Sequence, residues 1–194
     1  MTSALIPATH PPKCRWPRML VVTILCLTLG GCVACRVFHS GPYRVPEPLP
    51  EAKLLDLHVH TAGIGAGDSG CFISKQMESS WKLGIYLKSF GTTREELQAK
   101  GDAHVVHLIS RQLAGSKHVG QAILLAMDGV VDANGELDRA RTEIYVPNEF
   151  IAKETAKTTN LLFGASINPL RIDALTQLDW AKANGARLIK WIPS

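Results

Sequence analysis

An α/β fold built on a parallel sheet is what this sequence predicts, and three observations carry the prediction. Apolar runs of strand length recur at Leu54–His60, Gln121–Met127, Leu161–Ile167 and Ala186–Ile192. Segments with apolar residues at helical spacing separate them. The middle two runs, QAILLAM and LLFGASI, are apolar without alternation, as strands covered on both faces of a parallel sheet must be. The repeating order of strand and helix implies right-handed crossovers, and at this level a doubly wound sheet and an eight-fold barrel both remain open.

Ahead of the first strand the chain reads as an address. Lys13, Arg15 and Arg18 precede an apolar run from Met19 to Leu29, followed by Gly30, Gly31 and Cys32, the three-part layout of an export signal. Leu29-Gly30-Gly31-Cys32 resembles the lipobox of bacterial lipoproteins, in which the cysteine is the acylated first residue of the mature chain. The alternative is an uncleaved span, since Met19–Cys35 carries no charge and sits at the lower edge of spanning length. Both readings place the domain at the bacterial cell envelope, outside the cytoplasm and beside a membrane. Residues 1–32 are thus expected to be the anchor. Residues 33–52, with the proline-rich SGPYRVPEPLP, form a tether. The folded domain is expected over 53–194.

Leu54–His60 alternates apolar and polar residues with a period of two, placing Leu55, Leu57 and Val59 on one face and Asp56, His58 and His60 on the other. The glycine-rich TAGIGAGDSG that follows is expected to be a flexible rim. Helical spacing over Ser74–Phe90 and Thr93–Leu113 predicts two or three helices, with Thr92 or Thr93 as a cap before Glu95 and Glu96. After a polar loop containing Asn134-Gly135, a helix is expected over Asn148–Lys157, capped by Asn148 or the turn before it. Ile172–Ala183 sets Leu175, Leu178 and Ala181 on one helical face, and Gly185 stops that helix.

Composition excludes several classes. With 46% hydrophobic and 20% charged residues the chain is globular. The net charge of +4 is concentrated in Lys13, Arg15, Arg18, Arg36 and Arg44, and no Lys/Arg cluster interleaved with aromatics suggests a nucleic-acid surface. Cys14, Cys26, Cys32 and Cys35 lie in the N-terminal segment and only Cys71 in the domain, so neither a disulfide framework nor a zinc knuckle can be built. No G-x-G-x-x-G follows the first strand and no phosphate-binding G-x-x-x-x-G-K-S/T occurs.

The chemistry is concentrated at strand ends. His58 and His60, two positions apart at the carboxyl end of a strand, can converge on one cation, and barrel enzymes place their active sites at that end. Asp56 is the candidate to orient a metal-binding histidine by a hydrogen bond, with a structural hydrogen bond the alternative. Lys190 interrupts an apolar strand at the same rim and needs a partner or a modification there. Asp128 and Asn168 end the second and third strands and are candidates to line the mouth, although an Asp-Gly and an Asn-Pro also serve as plain turns. His39, His104, His107 and His118 read as ordinary core or surface histidines.

Asp56-Leu57-His58-Val59-His60 resembles the first-strand metal motif of the amidohydrolase superfamily. Gly164-Ala165-Ser166-Ile167-Asn168-Pro169 and Gly185-Ala186-Arg187-Leu188-Ile189-Lys190-Trp191-Ile192-Pro193 are similar to the third and fourth strands of its amidohydrolase-related branch. The resemblance implies a (β/α) barrel of the TIM type of which about four strands are present. It implies a divalent metal, usually zinc, on His58 and His60, with Lys190 as a carboxylated bridging ligand. The activity it implies is hydrolysis of a small-molecule substrate at a carbonyl-like carbon. The family's later-strand histidines and aspartate have no counterpart before Ser194, so the expectation is a truncated product or one piece of a split protein that meets a separately encoded half or self-associates. The rivals are a phosphoesterase of the polymerase-and-histidinol-phosphatase type, whose opening motif is also similar to Asp56-x-His58-x-His60, and an inactive membrane-attached interaction module.

Overall fold

The computed structural model describes residues 53–192. The expectations for the anchor, for acylation at Cys32 and for the tether fall in residues 1–52, outside the described residues. Among the described residues no helix is long and apolar enough to cross a membrane.

Six strands and six helices follow one another. Strand β1 (Leu54–His60) leads through the glycine-rich loop to the short β2 (Phe72–Ile73), then to helices α1 (Lys75–Glu78), α2 (Trp81–Ser89), α3 (Arg94–Lys100) and α4 (Ala103–Ala114). Strand β3 (Val119–Leu125), the short β4 (Ile144–Tyr145), α5 (Asn148–Thr155), β5 (Leu161–Ser166), α6 (Ala174–Ala183) and β6 (Ile189–Lys190) complete the order. Strands β1, β3, β5 and β6 form one curled, all-parallel sheet in that order, while β2 and β4 pair antiparallel as a separate ribbon. The α/β class and the parallel sheet are as the sequence predicts. Each strand is laid beside its predecessor with no reversal, so the sheet lacks the switch point of a doubly wound fold.

The core lies where the two central strands meet the helices. Ala122 and Leu124 of β3 and Leu161, Phe163 and Ala165 of β5 are buried in one cluster with Val105, Val106 and Ile109 of α4 and Phe150 and Ile151 of α5, while Ile123 and Leu125, also buried, alternate to the other face of β3. Each such side chain of Val size or larger contributes roughly 1.5–3 kcal/mol by leaving water. Gly164 is required by this packing: a Cβ there would meet Ile123 Cγ2 and Leu125 Cδ2 at 2.6 Å. Adding a side chain would force the two central strands apart.

Several expectations are corrected. Four helices stand where two or three are predicted, because Ser74, Ser80 and Thr93 each accept a main-chain N–H at a new N-terminus, from Met77, Lys82 and Glu96 respectively. Asn148 does not cap α5. Its side-chain amide is drawn across the core to Ser166, accepting from the main-chain N at 2.8 Å and donating to the O at 3.0 Å. The apolar face of α6 is only partly covered: Ala181 is buried, but Leu175 and Leu178 are 77% and 42% exposed. On β1, Leu55 and Leu57 are exposed as well, because side chains stand off the faces of a sheet and no helix packs substantially over β1 among the described residues. Strand β6 is two residues long rather than the seven expected over 186–192.

The glycine-rich segment is the clearest departure. Asp102, fully buried, accepts hydrogen bonds from Ile64 N (3.0 Å), Gly65 N (2.9 Å) and Ser69 Oγ (2.5 Å), so one carboxylate ties the loop to the start of α4. Gly63 is needed for the close approach, since a Cβ there would lie 2.6 Å from Cys71 Cβ and 2.7 Å from Asp102 Oδ2. Glycines here permit contact rather than free motion.

Candidate functional site

The residues singled out at the strand ends fall into two clusters. In the first, His58 Nε2 lies 2.9 Å from His60 Nε2, and Lys190 Nζ lies 3.2 Å from His60 Nε2. The imidazoles meet edge to face, their centroids 4.8 Å apart. Three strand spacings separate β1 from β6, roughly 14 Å in a flat sheet, and side chains stand perpendicular to the sheet they leave. The tips of His60 and Lys190 meet because the sheet curls and carries both onto its concave side.

A register irregularity helps set the histidines. Asp56 pairs with Ala122 and Val59 with Leu124, so β1 advances three residues while β3 advances two. The bulge this creates falls at Leu57–His58. Asp56 holds it, its Oδ1 accepting the main-chain N–H of His58 at 2.9 Å. Across this skip His58 and His60 still meet on one side of β1. Asp56 positions His58 through the backbone and, among the described residues, bonds to neither imidazole.

Electrostatics keep this cluster uncharged at its centre. Burial, then the neighbouring charges of Lys190 and His58, push His60 down from 6.5 to about 4, so its ring is neutral at ordinary pH. Burial also lowers Lys190. The Nδ1 atom of His60 is buried and, among the described residues, has no hydrogen-bond partner. Two imidazoles presenting Nε2 to one point, with an amine beside them, is an arrangement that a shared proton or cation would relieve.

A divalent metal fits this donor set in part. Two imidazoles bound to one tetrahedral zinc at about 2.0–2.1 Å would have their nitrogens roughly 3.3 Å apart. The 2.9 Å observed is short of that by an amount a small side-chain rotation recovers. Lys190 could join as a ligand only as neutral amine or carboxylated amine. Among the described residues no group of three or more His, Cys, Asp and Glu side chains is assembled as a metal cage.

The second cluster joins the ends of β3 and β5. Asp128 Oδ1 accepts from Arg171 Nη1 (3.1 Å) and Gly129 N (2.8 Å), and its Oδ2 accepts from Asn168 N (2.7 Å). Asn168 Nδ2 donates to Gly129 O at 3.2 Å, and Ser166 Oγ accepts from Asp128 N at 3.1 Å. Arg171 is bound by Asp173 as well, and these contacts hold its guanidinium firmly charged. Asp128 and Asn168 do line a small polar cavity or its neighbour, in company with Tyr145 and Ile192 respectively, but their hydrogen bonds go to Arg171 and the turn rather than to the histidines. These bonds make the pair a strut between two strand ends.

Sequence reasoning missed Arg171 and Asp102. Arg171-x-Asp173 directly after Asn168-Pro169 carries a weak signal for a side-chain clamp. Asp102 shows none, since its partners lie 33 to 38 residues away. Comparison of the chain with protein-family models, with curated proteins and with solved structures finds no match.

Proposed function

We propose that this domain belongs to a (β/α) barrel of the amidohydrolase type, and that His58 and His60, with Lys190, contribute to a divalent-cation site, zinc foremost, serving hydrolysis of a small-molecule substrate. The observation that carries the reading is the convergence of the three nitrogens at the carboxyl end of the curled sheet. Support comes also from the unreversed strand order, which a barrel needs, and from the uncovered apolar residues Leu175, Leu178, Ile189 and Trp191 beside the open edge of β6. A cation bound there would supply polarisation of a carbonyl-like carbon and acidification of water. The chain's own residues supply the rest. His58 and His60 offer Nε2 as ligand atoms, Asp56 fixes the bulge that aims His58, and Lys190 either completes the donor set or places positive charge beside it. The lipobox-like Leu29-Gly30-Gly31-Cys32 supports an anchored lipoprotein of the bacterial envelope.

The reading is tested by competing the purified chain against a chromophoric zinc chelator. Zinc should be retained at one equivalent, and His58→Ala or His60→Ala should weaken retention by roughly 100-fold or more, since even outer partners of metal ligands cost 10- to 100-fold. Lys190→Ala should weaken it less. Zinc uptake that ignores both histidines would end the proposal.

A further inference from the structure

Helix α2 carries apolar residues on two opposite sides. Leu83 and Leu87 are buried, whereas Trp81 and Ile85, one helical turn apart on the far side, are 73% and 55% exposed, and Tyr86 is 51% exposed. Lys82 and Lys88, both exposed, flank the Trp81–Ile85 ridge at helical spacing. Lys82 and Lys88 are the two charged residues of α2. Of the acidic residues nearby, Glu78 is paired with Arg94, and Glu95 shares a surface groove with Lys88 and Gly84.

We infer that the Trp81–Ile85 face of α2 is a membrane-docking surface that lies against an anionic bilayer. A tryptophan and one aliphatic residue between lysines suit the headgroup boundary: the indole bridges apolar and wet layers, and lysine stems lie along the surface with their amines on lipid phosphates. Charge complementarity selects anionic lipid, each lysine near such a surface adding a favourable increment. The lipobox-like Leu29-Gly30-Gly31-Cys32 gives an independent reason for a bilayer beside the domain, and the inference rests on that part of the proposed function. The docked face would set the orientation of a tethered domain, which an anchor alone leaves free.

The test uses the full chain mixed with liposomes of phosphatidylcholine, with or without one quarter phosphatidylglycerol. After flotation, acetylation rates are read at Lys82 and Lys88 against Lys153 and Lys182 on α5 and α6, which are also exposed. Protection of Lys82 and Lys88 on the order of tenfold in anionic vesicles, lost in a Trp81→Ser/Ile85→Ser variant that still floats, supports docking. Equal rates at all four lysines in a floating chain overturn docking while leaving the anchor intact. A chain that does not float overturns both. Protection without vesicles that grows with protein concentration assigns the face to a second copy and overturns the inference.

Discussion

The two polar clusters at the carboxyl end of the sheet share a place in the fold and reach opposite outcomes. Around Asp128 both carboxylate oxygens, the Arg171 guanidinium and the Asn168 amide are partnered within the protein. Around His60 three nitrogens face one another and a buried ring nitrogen has no partner among the described residues. Polar residues at strand ends do not by themselves mark a site. Satisfied groups hold elements together, and unsatisfied convergent ones hold a binding capacity in reserve at some cost in stability.

If that contrast is right, the largest effect belongs to the satisfied cluster. Asp128→Ala strips a carboxylate from Arg171, whose side chain is only 13% exposed, and should destabilise the domain by about 3–4 kcal/mol in urea unfolding, without changing zinc retention. A loss under about 1 kcal/mol would show that the strut between β3 and β5 is dispensable. Asp102→Ala comes next, at about 3 kcal/mol, because it leaves the loop donors Ile64 N and Gly65 N without their acceptor. Faster hydrogen exchange across residues 62–71 would accompany it, and unchanged exchange there would contradict the pinning role.

The His60 cluster should answer to pH instead. His60 takes a proton near 6.5 when unfolded and only near 4 when folded, so acidification favours the unfolded chain. The stability it contributes is complete above pH 6.5 and is lost as pH falls through about 4. Urea midpoints of the native chain should therefore drop more steeply over that interval than those of His60→Gln, and parallel pH curves would break the comparison. The smallest effect is expected at exposed His58. His58→Ala should change stability by less than about 0.5 kcal/mol while removing most zinc retention, a split between folding and binding that no residue of the Asp128 cluster should show.

Local pattern made much of the fold legible. Alternation marks β1 over Leu54–His60, the apolar runs mark β3 and β5, Thr93 caps α3, and Gly185, with φ of +83°, follows the end of α6. In the candidate site the i, i+2 histidines and Lys190 were legible too, because strand periodicity and strand-end position are properties of neighbouring residues. The bulge at Leu57–His58, the capture of Asn148 by Ser166 and the pinning of the glycine-rich loop by Asp102 were not.

By itself, then, the chain's order of residues determined the alternation of strands and helices, the parallel character of the sheet and which side chains carry chemistry. Tertiary structure alone decided that Lys190 reaches His60 across three strand spacings, that Asp128 and Asn168 face Arg171, and that glycines 63 to 70 form an anchored rim. The reason is physical: periodicity, caps and turns act over a few residues, whereas sheet curl and the partners of a buried polar group depend on segments 33 to 130 positions apart.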